Sequence, residues 1–97
     1  MTERELIAPP EALDDENATE VLRAWIAHEK LFCVLKPEGF EDVGSWGILL
    51  ADVARHIANG LAEARELNTE ESLNRIRELF DAELKQPTDE PTGHFIN

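Results

Sequence analysis

The residues with chemical potential in this chain fall into two sets. The first is basic and aromatic: Arg23, Trp25, Phe32, Val34 and Lys36, with Lys30 nearby. Aromatic faces flanked by bases stack nucleobases or hold a small anionic molecule. The same composition also suits an interface, where the rings supply buried area and the long basic side chains reach water. The second set is polar. Asp52 and His56 stand four apart, and Glu63 follows two helical turns on. On a helix such residues come near one another on one face. A histidine flanked by carboxylates binds metal or acts as a base. This trio matches no zinc signature, and the chain has no HExxH. A solvated helix face with an ion pair explains it without chemistry, so neither metal nor cofactor is expected.

The remaining reactive types point the same way. His28 and His94 have no sequence neighbour suited to nucleophilic catalysis. Cys33 is the one cysteine, which excludes an internal disulfide, and it falls in an apolar run where a thiol is packing. No phosphate-binding glycine loop or nucleophile elbow occurs. Gly44 and Gly47 flank Trp46, where close packing is expected ahead of an anion site at the helix entrance.

Two strands must position the first set. Residues 20–28 and 31–37 are rich in β-branched and aromatic side chains. The link His28-Glu29-Lys30 is short enough only for a hairpin. Pro37, Glu38 and Gly39 end the second strand. Strand side chains alternate between faces. Antiparallel pairing then puts Leu22, Ala24, Ile26, Leu31, Cys33 and Leu35 on one wholly apolar face. The other face holds Arg23, Trp25, Ala27, Phe32 and Val34, with Lys30 and Lys36 at its ends.

A helix must position the second set. Asp42 is the N-cap candidate, with Phe40 before it as a staple residue. Trp46, Leu49, Leu50, Val53, Ile57, Leu61 and Ala64 recur at helical spacing, with Asp52, Arg55, Asn59 and Glu63 opposite. Gly60 is costly inside a helix, by roughly 1 kcal/mol relative to Ala. Close backbone packing would explain it; the competing reading ends or kinks the helix at Asn59-Gly60. A further helix begins near Asn68 or Thr69, where Asn68 and Glu71 have capping-box spacing. Its stripe is Leu73, Ile76, Phe80 and Leu84, and the short join makes the helices antiparallel neighbours.

The ends read differently. Residues 1–18 form an acidic arm, extended at Pro9-Pro10, from which Leu6, Ile7 and Leu13 could dock on the body. Residues 87–97 read as a flexible tail, with Phe95-Ile96 able to tuck back. Residues 19–86 are left as a single α+β domain of order ββαα.

Composition bounds the partners. In 97 residues, twenty-one acids face nine bases, a net charge of −12, and 42% of residues are apolar. Such a chain buries only about 60–65% of the surface its unfolded form exposes. The negative potential disfavours nucleic acid and anionic membranes. A basic partner protein or a divalent cation is permitted and not indicated. The N-terminus lacks the form of a signal peptide, and Asp52 interrupts the longest apolar stretch near the middle, so a cytoplasmic protein is expected.

A lone two-stranded hairpin is marginal in water, and its edges invite strand addition. The long helix would cover the first face. Either the second helix covers the other, or two copies join their hairpins into a four-stranded sheet under two-fold symmetry. A homodimer is the favoured expectation.

The core stretch also resembles a known family. Its pieces are Val21-Leu22-Arg23-Ala24-Trp25-Ile26-Ala27, Leu31-Phe32-Cys33-Val34-Leu35-Lys36-Pro37 and Ser45-Trp46-Gly47-Ile48-Leu49-Leu50-Ala51-Asp52-Val53-Ala54-Arg55-His56-Ile57-Ala58. Ile76-Arg77-Glu78-Leu79-Phe80-Asp81-Ala82-Glu83 and Pro87-Thr88-Asp89-Glu90-Pro91 fit the same picture. These are similar to a small bacterial, mostly alphaproteobacterial, family known only as domain of unknown function 5076. One departure is the turn, where an Asp-Gly type would be expected and His28-Glu29-Lys30 stands. The resemblance implies an intracellular bacterial protein and brings no activity, cofactor or catalytic residue.

The expected function is therefore that of a small non-catalytic homodimeric interaction module, with an unidentified protein partner permitted. A binder of small anionic ligands on the Arg23, Trp25 and Phe32 face is the runner-up. An enzyme using Asp52 and His56 stands third. The acids are too scattered for a DNA mimic.

Overall fold

Alternation of side chains over two short apolar runs produces a hairpin. Strands β1 (Leu22–Ala27) and β2 (Lys30–Leu35) pair antiparallel in the computed structural model, which describes residues 4–88 and the backbone of 92–95. The partners run from Leu22 opposite Leu35 to Ala27 opposite Lys30. Both strands are shorter than the sequence suggests: β1 lies inside 20–28, and β2 starts one residue ahead of 31 and ends two before 37. The sorting of faces is as expected. Leu22, Ala24 and Ile26 oppose Leu35, Cys33 and Leu31, while Arg23 and Trp25 oppose Val34 and Phe32.

The link is a two-residue loop. His28 and Glu29 both take positive φ, 52° and 63°. That is the type I′ pattern, whose twist matches the flanking strands. The turn geometry thus survives without an Asp-Gly pair. A side chain held in the left-handed region costs roughly 1–2 kcal/mol, so this turn stores strain that glycine would release.

A third strand, β3 (Thr92–Phe95), lies beside β2, giving the order β1-β2-β3. This strand falls within the stretch read as a tail from which Phe95-Ile96 could tuck back; Ile96 lies outside the described residues. In the N-terminal arm, Pro9 is extended (φ −68°, ψ 154°), but Pro10 opens a short helix, α1 (Pro10–Asp14). Proline suits that first position, because its missing N–H would have no helical partner there. Leu6, Ile7 and Leu13 are all exposed rather than docked.

The chain divides into two compact units, Met1–Pro37 with Gly93–Asn97, and Glu38–Thr92. The second holds a helical hairpin. Helix α2 (Gly44–Arg65) takes Val43 at its N-cap, not Asp42. Asp42 acts one residue early, its carboxylate accepting the Gly44 N–H at 2.9 Å. Phe40 meets Trp46 edge-on, ring centroids 5.1 Å apart at 90°, a contact across the helix entrance that lies outside the staple positions set by Val43. The helix runs unbroken through Asn59-Gly60 and stops at Glu66, which is left-handed at φ 56° and donates its N–H to the Ala62 carbonyl. A β-carbon on Gly60 or Gly47 would meet nothing within 4 Å, so neither glycine serves the close packing expected of it.

Helix α3 (Thr69–Lys85) starts where the capping spacing placed it: the Asn68 side chain accepts the Glu71 N–H at 3.0 Å. The seam with α2 differs from the expected stripe. Ala58 and Leu73 are the buried core among the described residues. Ala54, Leu61 and Ala62 are half-buried, while Val53, Ile57 and Ala64 are exposed. The packed face is rotated by about one residue from the row of large side chains. Small side chains let helix axes approach more closely, and alanines hold this seam. Two apolar arcs therefore adjoin on α2, one against α3 and one bare.

Candidate functional site

The hairpin brings the basic–aromatic set onto one face. Arg23, Trp25, Phe32 and Val34 share it by register, and the Lys36 N–H donates to the Val21 carbonyl at 3.0 Å, which extends the same parity to Lys36. All five are half-buried. The charge of Arg23 is already taken. Its guanidinium hydrogen-bonds both Glu20 carboxylate oxygens at 3.1 Å and sits 3.5 Å from Glu5. Hydrogen bonding and charge from Glu20, then the weaker pull of Glu5, hold its pKa above the usual arginine value. A hollow of about 200 Å³ beside it is lined by Arg4, Glu5, Leu6, Glu20 and Trp25 among others. The Glu5 and Glu20 carboxylates in that lining balance Arg4 and Arg23, leaving no surplus positive charge for an anionic ligand.

The opposite face is apolar and bare towards the turn. Ile26 is 74% exposed and its cross-strand partner Leu31 58%. Cys33 on this face is half-buried. The bond from Lys36 to Val21 also fixes which groups of β1 are free. In the antiparallel pattern, the odd residues of β1 exchange hydrogen bonds with β2, and Leu22, Ala24 and Ile26 turn their N–H and C=O outward.

The polar trio is not assembled as a site. Asp52, His56 and Glu63 are all exposed, and none makes a side-chain hydrogen bond or ion pair among the described residues. No cluster of three metal-ligating side chains occurs among the described residues. Asp52 instead lines a groove between α2 and α3 that His56 and Glu63 do not reach.

That groove, about 550 Å³, is the feature sequence reasoning missed. Its floor is Gly47, Leu50, Ala51 and Ala54 from α2, with Leu73, Ile76 and Phe80 from α3. Asp52, Arg55, Arg77 and Asp81 edge it. Arg55 and Asp52 read as lying opposite the apolar stripe. The shift of the packed face towards the alanines turns them to the groove instead. The available signal was the run of small residues Gly47, Ala51, Ala54 and Ala58 at helical spacing.

Comparison with known proteins gives this chain a family and no activity. No curated protein matches the chain. A solved structure from the photosynthetic bacterium Rhodopseudomonas palustrus CGA009, described as that of a "putative pyruvate dehydrogenase", is 41% identical with a TM-score of 0.75. The match covers 94% of this chain and 93% of that one. The family model for a domain of unknown function, DUF5076, matches residues 5–88. The chain belongs to the DUF5076 family.

Proposed function

We propose that this protein is a small, non-catalytic, homodimeric interaction module of the bacterial cytoplasm, with the hairpin as one contact region. The observation that carries the reading is the scarcity of enclosed core. Ala58 and Leu73 are the buried hydrophobic residues among those described, while fourteen large apolar side chains are exposed. Within the hairpin, exposed Ile26 and Leu31 are cross-strand neighbours, and a contiguous apolar patch of that kind marks an interaction surface. The edge of β1 supports the reading too. It has a strand neighbour on one side only among the described residues. It carries a single charge, Arg23, already paired with acids, and no lysine or proline guards it. With β3 in place, joining two β1 edges would give six strands, not the four expected from the hairpin alone.

Proline tests this cleanly at Ala24, whose N–H points away from β2 and takes no part in the hairpin ladder. Ala24→Pro keeps the hairpin and removes an outward donor. The dimer of the variant should dissociate at least tenfold more readily than wild type in sedimentation velocity. Equal dimer stability would remove the β1 edge from the interface. The anion-binding alternative lacks support from the site, because Glu20 and Glu5 already occupy the Arg23 guanidinium. The pyruvate dehydrogenase description belongs to the relative; it names one class of enzyme whose subunits can be offered to the module in a binding assay.

A further inference from the structure

Burial along the α2–α3 seam fades from one end to the other. On α3, Leu73 near the turn is 8% exposed, Phe80 45% and Leu84 70%. On α2, enclosed Ala58 gives way to half-buried Ala54 and then to exposed Leu50. The groove of about 550 Å³ lies along this fading seam. Its floor is apolar, yet its edge is charged in balance, with Arg55 and Arg77 against Asp52 and Asp81. None of these four is in an ion pair among the described residues, although Arg75 pairs with Glu78 on the same helix at 2.7 Å.

That balance is informative in a chain of net charge −12. A surface with the average charge of this protein would repel its own copy. This edge carries equal numbers of both signs, so it does not. Under two-fold symmetry, a surface with both signs can be its own complement. A small anion would meet Asp52 and Asp81 as readily as the arginines, and an acidic or basic peptide would satisfy one pair and leave the other opposed.

We propose that the groove seats the same groove of a second copy. The two helix pairs then pack as a four-helix bundle. Leu50, Ile76 and Phe80 of each copy close over the other's alanines, and Arg55 and Arg77 of each face Asp52 and Asp81 of the other. This rests on the homodimer reading and adds to it a contact surface within the helical unit.

Charge reversal on the full chain tests the arrangement. All four edge residues are exposed, so neither Arg55→Asp/Arg77→Asp nor Asp52→Arg/Asp81→Arg should disturb the fold, which far-ultraviolet circular dichroism verifies. Each double variant alone should dimerise at least tenfold more weakly than wild type by sedimentation velocity. An equimolar mixture of the two should recover tight heterodimers, because each then meets its opposite. The proposal is overturned if either variant alone dimerises like wild type, or if the mixture associates no better than its components. A wild-type chain that sediments as a monomer instead overturns the homodimer reading, and this inference with it. Weakening by Ala24→Pro without weakening by charge reversal leaves that reading standing and removes the groove.

Discussion

The strand unit and the helix unit use different information to reach their structures. In the hairpin, a period of two allows each residue only one face, and every predicted side chain of β1 and β2 lies on the face assigned to it. In α2, apolar residues cover so wide an arc that two faces compete to meet α3. The large side chains, Val53 and Ile57, lose that competition to Ala54 and Ala58. Both units hold side chains in the left-handed region, His28 and Glu29 in the hairpin turn and Glu66 after α2, and α3 adds a satisfied cap at Asn68. A strand pattern settles which residues face together; an amphipathic helix with a broad apolar arc leaves that to the packing of its partner.

This contrast can be broken by mutation. The largest effect should come from Leu73→Ala, which empties the seam and should cost about 2–3 kcal/mol in urea denaturation, at the low end for a buried leucine. Ile57→Ala, on the bare arc, should cost less than about 0.5 kcal/mol, as exposed substitutions do. An equal loss at both positions would mean that the two arcs of α2 are packed alike. Next in size, His28→Asn with Glu29→Gly should raise stability by about 1 kcal/mol, since both residues suit the left-handed turn. No gain would mean that the native side chains repay their strain through contacts.

Asn68→Ala removes the acceptor for the Glu71 N–H and should cost about 1 kcal/mol in thermal unfolding. A change of opposite sign is expected at Gly60. Its would-be β-carbon faces open space, so Gly60→Ala should stabilise α2 by up to about 1 kcal/mol. A loss at Gly60 would reveal another surface packed against it in solution and would sharpen the account of the bare arc.

Much of the fold could be read from residue patterns. The hairpin faces follow from alternation, and α3 follows from Asn68 together with the stripe that starts at Leu73. Less legible were features whose cause lies elsewhere in the chain. The strand β3 depends on a partner about sixty residues away, β2, and its own sequence, Thr92-Gly93-His94-Phe95, has little strand character. The groove depends on which arc of α2 turns to α3, and alanines carry too little hydrophobicity to announce that choice. The Arg23 face looked cationic because Glu20, three residues away and outside the strand, pairs with the guanidinium, and Glu5 of the arm adds a weaker pull from eighteen residues earlier.

Sedimentation equilibrium of the full chain over a dilution series is the most direct check that these apolar faces are closed by a second copy. At micromolar concentration the mass should be twice 10.9 kDa, falling reversibly towards 10.9 kDa on dilution. A mass of 10.9 kDa at every concentration would contradict the account.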